Sequence, residues 1–236
     1  MLLCFGSFIM MPGGEVAMCD VHHSDSPAAF VSRGGIKLEN ALTASGLDVS
    51  GRRALDVGAS TGGFTDCMLR RGATGVVAVD VGYGQLDWGL RNDPRVSVLE
   101  RTNARALTVD MLPYTPDLAT IDVSFISLAK VLPAVLGCMA ESYDVFAMVK
   151  PQFEVGRALA SKGRGVVRDP AVRRAVLVQV GQTALGLGAS VLGYYSSGLT
   201  GPKGNKETFV WLAQAGYAGG ARSMEDIEGL ARKVEP

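Results

Sequence analysis

From Val31 onward, short apolar runs rich in β-branched residues alternate with stretches whose apolar positions recur at helical spacing. Strands are predicted at Ala54–Val57, Gly75–Val81, Val96–Leu99, Leu118–Val123, Val145–Val149, Ser190–Tyr195 and Thr208–Leu212. Six of the seven runs are near-continuous rather than alternating, as strands covered on both faces should be. Helices are predicted around Lys37–Ser45, Phe64–Arg71, Gln85–Leu90, Leu128–Met139 and Ala171–Leu187. Strands alternating with helices give βαβ units, and hence an α/β, Rossmann-like, doubly wound and largely parallel seven-stranded sheet. The pattern shows neither an internal repeat nor a second core. One domain is expected over residues 30–218, after a leader at 1–29 and before a helical or frayed tail at 219–236. Pro12, Gly13, Gly14, Ser24, Ser26 and Pro27 punctuate the leader, which is read as poorly ordered.

Composition narrows the class. A chain of 236 residues with 47% hydrophobic and 19% charged residues can bury a sizeable core. Its formal net charge of zero excludes a polycation that coats nucleic acid, so any RNA contact must come from a local patch. Cys4, Cys19, Cys67 and Cys138 are scattered without a CxxC pair, which fits a reduced, cytoplasmic chain. Cys19, His22 and His23 lack a second ligand pair, and no metal is expected. The apolar opening at Met1–Met11 is too short to span a bilayer and lacks the basic flank of a signal peptide. No membrane association is expected.

The most informative segment is Ala54-Leu-Asp-Val-Gly-Ala-Ser-Thr-Gly-Gly-Phe-Thr65. A buried strand runs through Asp56 into a glycine-bearing turn, and Gly62 and Gly63 open a helix whose first N–H groups are free. Dinucleotide sites want G-x-G-x-x-G, whereas this turn reads Gly58-x-x-x-Gly62-Gly63 with Ser60 and Thr61 between. Asp56 would repel a pyrophosphate but suits the positively charged methionine end of S-adenosylmethionine. Asp80 closes the next strand 24 residues later, placed to accept ribose hydroxyls. Gly58, Ser60, Thr61, Gly62, Gly63, Phe64 and the two aspartates therefore form the candidate cofactor site. Asn103, after the third strand, either reads the adenine or caps a turn.

Asp122 and Lys150 close two further strands, on the sheet edge where doubly wound folds place their sites. Here five segments carry a resemblance. Ser32-Arg-Gly-Gly-Ile-Lys37-Leu, Asp56-Val-Gly-x-x-x-Gly-Gly-Phe-Thr, Asp122-Val-Ser-Phe-Ile-Ser-Leu, Lys150-Pro-Gln-Phe-Glu and Gly204-Asn-Lys-Glu207 occur in unbroken order. Together they resemble the TlyA family of FtsJ-like ribose methyltransferases, also catalogued as haemolysin A. The resemblance implies a class I S-adenosylmethionine-dependent methyltransferase domain acting on a ribose 2′-hydroxyl of ribosomal RNA, with ribosomal RNA or ribosomal subunits as partners and cytidine as the target. It also places the Lys-Asp-Lys-Glu tetrad of FtsJ-like enzymes on Lys37, Asp122, Lys150 and Glu207.

A ribose hydroxyl must lose its proton as the methyl group arrives, and a lysine can take that proton only as a neutral amine. Desolvation and the nearby cation Lys37 favour the neutral form of Lys150, while Asp122 opposes it. Asp122 is therefore assigned to orient Lys150 beside the sulfonium, and Glu207 to hold Lys37 or the ribose. Asp122 counts toward both the cofactor and the catalytic sets.

Between Lys150 and Arg174 lie seven basic residues (Lys150, Arg157, Lys162, Arg164, Arg168, Arg173, Arg174) against Glu154 and Asp169, a net of +5. Arg157, Lys162, Arg164 and Arg168 fall in or beside a glycine-bearing loop and are read as phosphate contacts. The family usually carries an S4-type RNA-binding domain ahead of the methyltransferase. The thirty or so residues before Ser32 do not read as one, so a weaker hold on RNA is expected. Three other readings remain in view: a membrane-active haemolysin, a small-molecule methyltransferase and a non-catalytic RNA-binding relic. The first lacks an amphipathic or spanning element, the lysine pair and basic loop disfavour the second, and the intact tetrad disfavours the third.

Overall fold

The computed structural model describes residues 8–10, 16–18, 29–155, 164–221 and 223–236. Seven strands form one sheet: β1 (Arg53–Val57), β2 (Gly75–Val79), β3 (Val96–Leu99), β4 (Leu118–Ile121), β5 (Asp144–Val149), β6 (Ser190–Thr200) and β7 (Lys206–Ala213). Their spatial order is β3-β2-β1-β4-β5-β7-β6. The first five run parallel, and β7 lies antiparallel to both β5 and β6. The chain winds outward from β1 in one direction and then restarts at β4 in the other. The junction of β1 with β4 is therefore the topological switch point, beside which doubly wound sheets bind ligands.

Alternation along each strand divides the core into two layers. Leu55, Val57 and Val77 face one side with Val176, Leu177 and Val180 of α6 (Pro170–Gly186). Ala54, Val76 and Leu118 face the other, against Leu38 and Leu42 of α1 (Arg33–Ser45) and Met68 of α2 (Gly63–Arg70). Ser32 caps α1 by accepting from the Gly34 N–H, and Gly46 ends it in the left-handed region at φ 73°.

Two predicted helices come out shorter. In place of Gln85–Leu90 the chain forms α3 (Trp88–Arg91), because Asp87 caps the Gly89 and Leu90 N–H groups and so sets a later start. The stretch Leu128–Met139 begins as a 3-10 turn at Leu128–Lys130, and α4 covers only Leu132–Leu136. Pro133 sits in the first turn of α4, where its missing N–H does no harm. After β5, a single turn α5 (Pro151–Glu154) follows, and Pro151 again opens the helix.

Of the leader, Phe8–Met10 pairs antiparallel with Val16–Met18, an element that the sequence pattern did not suggest. The reading of the leader as poorly ordered otherwise lies outside the described residues. The C-terminal stretch folds as α7 (Met224–Val234), with a capping box at Ser223 and Asp226, and it buries Ile227 and Ala231 against the α6 layer. Beyond it, Glu235 receives two hydrogen bonds of 2.6 Å from Arg173, whose Nη1 also donates to the Val167 and Arg168 carbonyls. Arg173 is only 5% exposed, so it is withdrawn from the basic surface counted in the sequence. No helix among the described residues is long and apolar enough to cross a membrane.

Removing one partner of a buried ion pair leaves a charge without compensation. Arg173→Ala should lower the unfolding free energy by about 3–5 kcal/mol in urea titrations. A loss below about 1 kcal/mol, typical of surface pairs, would contradict this anchoring of the tail.

Candidate active site

The strand ends at the switch point touch. The Asp122 N–H donates to the Val57 carbonyl at 2.9 Å, and the Gly58 N–H donates to Val79 at 2.8 Å. Gly58 adopts φ 87°, and a Cβ there would lie 2.6 Å from the Asp122 carbonyl oxygen. Glycine is required on both counts. Gly63 serves a different contact, since its Cβ would meet Ser32 Oγ at 2.2 Å where α2 abuts the start of α1.

Along this edge runs a cleft of about 420 Å³ lined by Gly58, Ser60, Asp80, Asn103 and Asp122 from the predicted set. Val81, Gln85, Thr102 and Ile126 join them, none singled out from sequence. Asp80 accepts from the Ser60 N–H at 2.8 Å and from the Gly82 N–H at 2.6 Å, which folds both loops around its carboxylate. A carboxylate has about four lone-pair sites, so acceptor capacity remains for hydroxyls. Asn103 lines the cleft and also caps the short helix Ala104–Ala106, accepting from the Arg105 N–H. Volume, apolar walls and few polar groups suit a ligand of nucleoside size.

Five members of the predicted cofactor set lie off this cleft. Thr61 is exposed, Gly62 packs toward Leu86 and Leu90, Gly63 faces α1, and Phe64 is buried 5.6 Å from the Phe209 ring. Asp56 is 0% exposed and accepts from Thr65 Oγ1 at 2.6 Å and Thr120 Oγ1 at 3.1 Å, so its carboxylate braces β1 to α2 and β4. Burial pushes its carboxyl up to about 6, against the opposing effect of the two threonine hydrogen bonds.

A second cavity of about 550 Å³ holds Lys37, Asp122, Lys150 and Glu207 together. Lys150 and Asp122 arrive at the ends of parallel strands. Glu207 reaches the same edge because β7 runs antiparallel, pairing Val149 with Thr208. Lys37 comes from α1 and donates to Glu207 Oε2 at 2.6 Å. Lys150 Nζ lies 2.5 Å from Asp122 Oδ1, but that buried oxygen accepts no well-directed hydrogen bond. The contact is thus one of charge, and the directed bond from Lys150 goes to Ser124 Oγ at 3.0 Å. Both cavities share Asp122, Ser124 and Phe125 as a common wall.

Phe125 is 91% exposed and held at φ 64°, with its ring 5.1 Å from that of Phe153. Nothing in the sequence marked it beyond membership of a motif. The segment that carries it is latched by Glu154, which accepts from Ser127 Oγ at 2.6 Å and from the Leu128 N–H at 2.8 Å. Burial raises the Glu154 carboxyl above its ordinary value. Sequence reading had counted Glu154 only as an acid in a basic stretch.

Of the predicted phosphate contacts, Arg164 and Arg168 are exposed, while Arg157 and Lys162 lie outside the described residues. Asn205 grips the segment after Arg164, accepting from the Val167 N–H at 2.9 Å and donating to the Gly165 carbonyl at 2.8 Å. Gly165, Asn205 and Lys203 complete the wall of the second cavity. Among the described residues no group of three or more His, Cys, Asp or Glu side chains could hold a metal ion.

The sequence model of the FtsJ-like methyltransferase family matches residues 30–214. The 16S/23S rRNA (cytidine-2′-O)-methyltransferase TlyA of Mycobacterium tuberculosis is 53% identical over 204 residues, covering 86% of this chain and 76% of the relative. A "putative hemolysin" from Lactococcus lactis superposes with TM-score 0.79 at 40% identity, covering 89% of this chain and 100% of that one. An S-adenosylmethionine dependent methyltransferase from Mesorhizobium loti shares the fold alone, with TM-score 0.54 at 15% identity over 78% of this chain and 100% of that one.

The raised carboxyl of Asp56 has a consequence for stability. Its folded value of about 6 exceeds the ordinary 3.8, so between these values the folded state binds more protons than the unfolded one. The contribution of Asp56 to stability is then present at low pH and lost as pH rises from about 4 to about 6. Asp56→Asn keeps partners for both threonines and removes this titration. Unfolding measured from pH 4 to pH 7 should show the wild type losing stability relative to Asp56→Asn across that window, and parallel curves would contradict the assignment. For Glu154→Ala, methyl transfer should fall at least about tenfold, the effect of misplacing reacting groups, while cofactor affinity changes little. Glu154→Gln, which can pair with both groups, should recover most of the rate.

Proposed function

The chain belongs to the FtsJ-like methyltransferase family, and we propose that it transfers the methyl group of S-adenosylmethionine to a ribose 2′-hydroxyl of ribosomal RNA. One observation carries this reading. The cofactor-sized cleft and the cavity with both lysine–carboxylate pairs meet at a single wall, Asp122–Ser124–Phe125. A donor in the first and an acceptor in the second would face each other across it, which is the placement that methyl transfer needs most.

S-adenosylmethionine, when bound, supplies a methyl group on a positively charged sulfur. The cleft residues fit it: Asp80 would accept the ribose hydroxyls, Asn103 would face the adenine, and Gly58 and Ser60 would lie along the methionine portion. In the second cavity Lys150 takes the proton from the 2′-hydroxyl as the new carbon–oxygen bond forms and the carbon–sulfur bond breaks. Asp122 holds the Lys150 amine toward the shared wall. Lys37, fixed by Glu207, steadies the ribose from the opposite side.

The acceptor end favours RNA. Phe125 offers an exposed aromatic face on which a base can stack beside the lysines. Lys203, Arg164 and Arg168 supply cations for neighbouring phosphates. The relative named for 16S and 23S ribosomal RNA cytidines supports the same substrate for this chain.

Lys150→Ala should abolish transfer of labelled methyl to ribosomal RNA while calorimetric affinity for S-adenosylmethionine stays near the wild-type value. Asp80→Ala should weaken that affinity by about 1.5–3 kcal/mol, the range for hydrogen bonds to a charged group. Full activity in Lys150→Ala would remove the basis of this mechanism.

A further inference from the structure

The wall of the second cavity contains an amide oxygen without a partner among the described residues. Gln152 follows Lys150 by two residues and lines both this cavity and an adjoining groove of about 620 Å³ bounded by Phe125, Phe153, Arg105 and Lys130. Its Oε1 is buried and accepts no hydrogen bond from the described residues. Several polar groups on the same wall are already engaged: Lys37 with Glu207, Lys150 with Ser124 and, by charge, with Asp122, and Asn205 with Gly165 and Val167. A buried acceptor left unpaired keeps its desolvation penalty, so it is expected to find a donor in the complex.

We propose that Gln152 reads the target base, its side-chain carbonyl accepting a hydrogen bond from an exocyclic amine. The inference rests on the ribose-methylation reading and deepens it. The Cα atoms of Lys150 and Gln152 are at most about 7.6 Å apart, two residue steps. A nucleotide whose 2′-hydroxyl meets Lys150 therefore brings its base to the part of the wall that Gln152 shares with Phe125 and Phe153. An acceptor there favours bases that carry an amine at the pairing edge, such as cytosine. It disfavours uracil, whose carbonyl at the same position would face another carbonyl. Sites built to hydrogen-bond a group reject analogues that lack it far more strongly than apolar pockets reject a change of shape.

The test compares methyl transfer to a ribosomal RNA fragment bearing cytidine, uridine or 2-pyrimidinone riboside at the modified position. The pyrimidinone lacks the amine and has no carbonyl in its place. Wild type should favour cytidine over both by at least about tenfold in kcat/KM. Gln152→Leu should bring the cytidine-to-uridine ratio within about threefold, chiefly by losing cytidine rate, with cofactor affinity unchanged. Gln152→Glu, which keeps acceptor oxygens, should retain the preference for cytidine over uridine. Equal use of cytidine and the pyrimidinone by the wild type, a preference for uridine, or an unchanged ratio in Gln152→Leu would overturn the assignment. No methyl transfer by the wild type to any of the three would overturn the ribose-methylation reading, and this proposal with it.

Discussion

The catalytic edge depends on how closely the ends of β1 and β4 approach each other. Gly58 and the Asp122 carbonyl occupy space that a Cβ would deny, and the Asp122 N–H continues the strand pairing through Val57. This contact turns the Asp122 side chain into the boundary between two cavities. Asp80 reinforces the arrangement from the other flank, because its carboxylate ties Ser60 to Gly82.

Electrostatics at this edge favour function over stability. Two lysine–carboxylate pairs sit together at low exposure, and such pairs seldom stabilise a fold more than apolar residues of similar size would. Glu207 is 3% exposed and Lys37 9%, so the pair lies where an unpartnered polar group would be costly. Lys150 differs, since its amine is divided between a directed bond to Ser124 and an undirected contact with Asp122. Glu154 limits the freedom of the whole Asp122–Leu128 segment by gripping its far end.

Much of this was readable in the sequence. Continuous apolar runs located the seven strands because two-sided burial leaves a strong compositional signal. Asp122 and Lys150 stood out because each polar residue ends such a run, and both line the second cavity. The bracing role of Asp56 was not readable: it has the same parity as Ala54 and so points into the layer under α2, where Thr65 and Thr120 meet it. The helix expected at Gln85–Leu90 contracted because Asp87 competes as a cap, a local choice that apolar spacing does not register. Tertiary placement, which the sequence pattern does not register, brings Gln152 and Lys203 to the wall of the second cavity and Glu154 to Ser127 and Leu128. The charge count over Lys150–Arg174 overstated the available surface, since Arg173 turns inward to Glu235.

The central claim is that methyl donor and acceptor meet at the Asp122–Ser124–Phe125 wall. A crystal structure with S-adenosylhomocysteine tests it directly. Its ribose hydroxyls should lie on Asp80, and its sulfur should lie at the shared wall, leaving room for a methyl group aimed into the cavity that holds Lys150. An oxygen placed about 3–3.5 Å from that methyl position should fall within that cavity. The product seated in the lysine-lined cavity, or with its sulfur turned away from Asp122, would contradict the account.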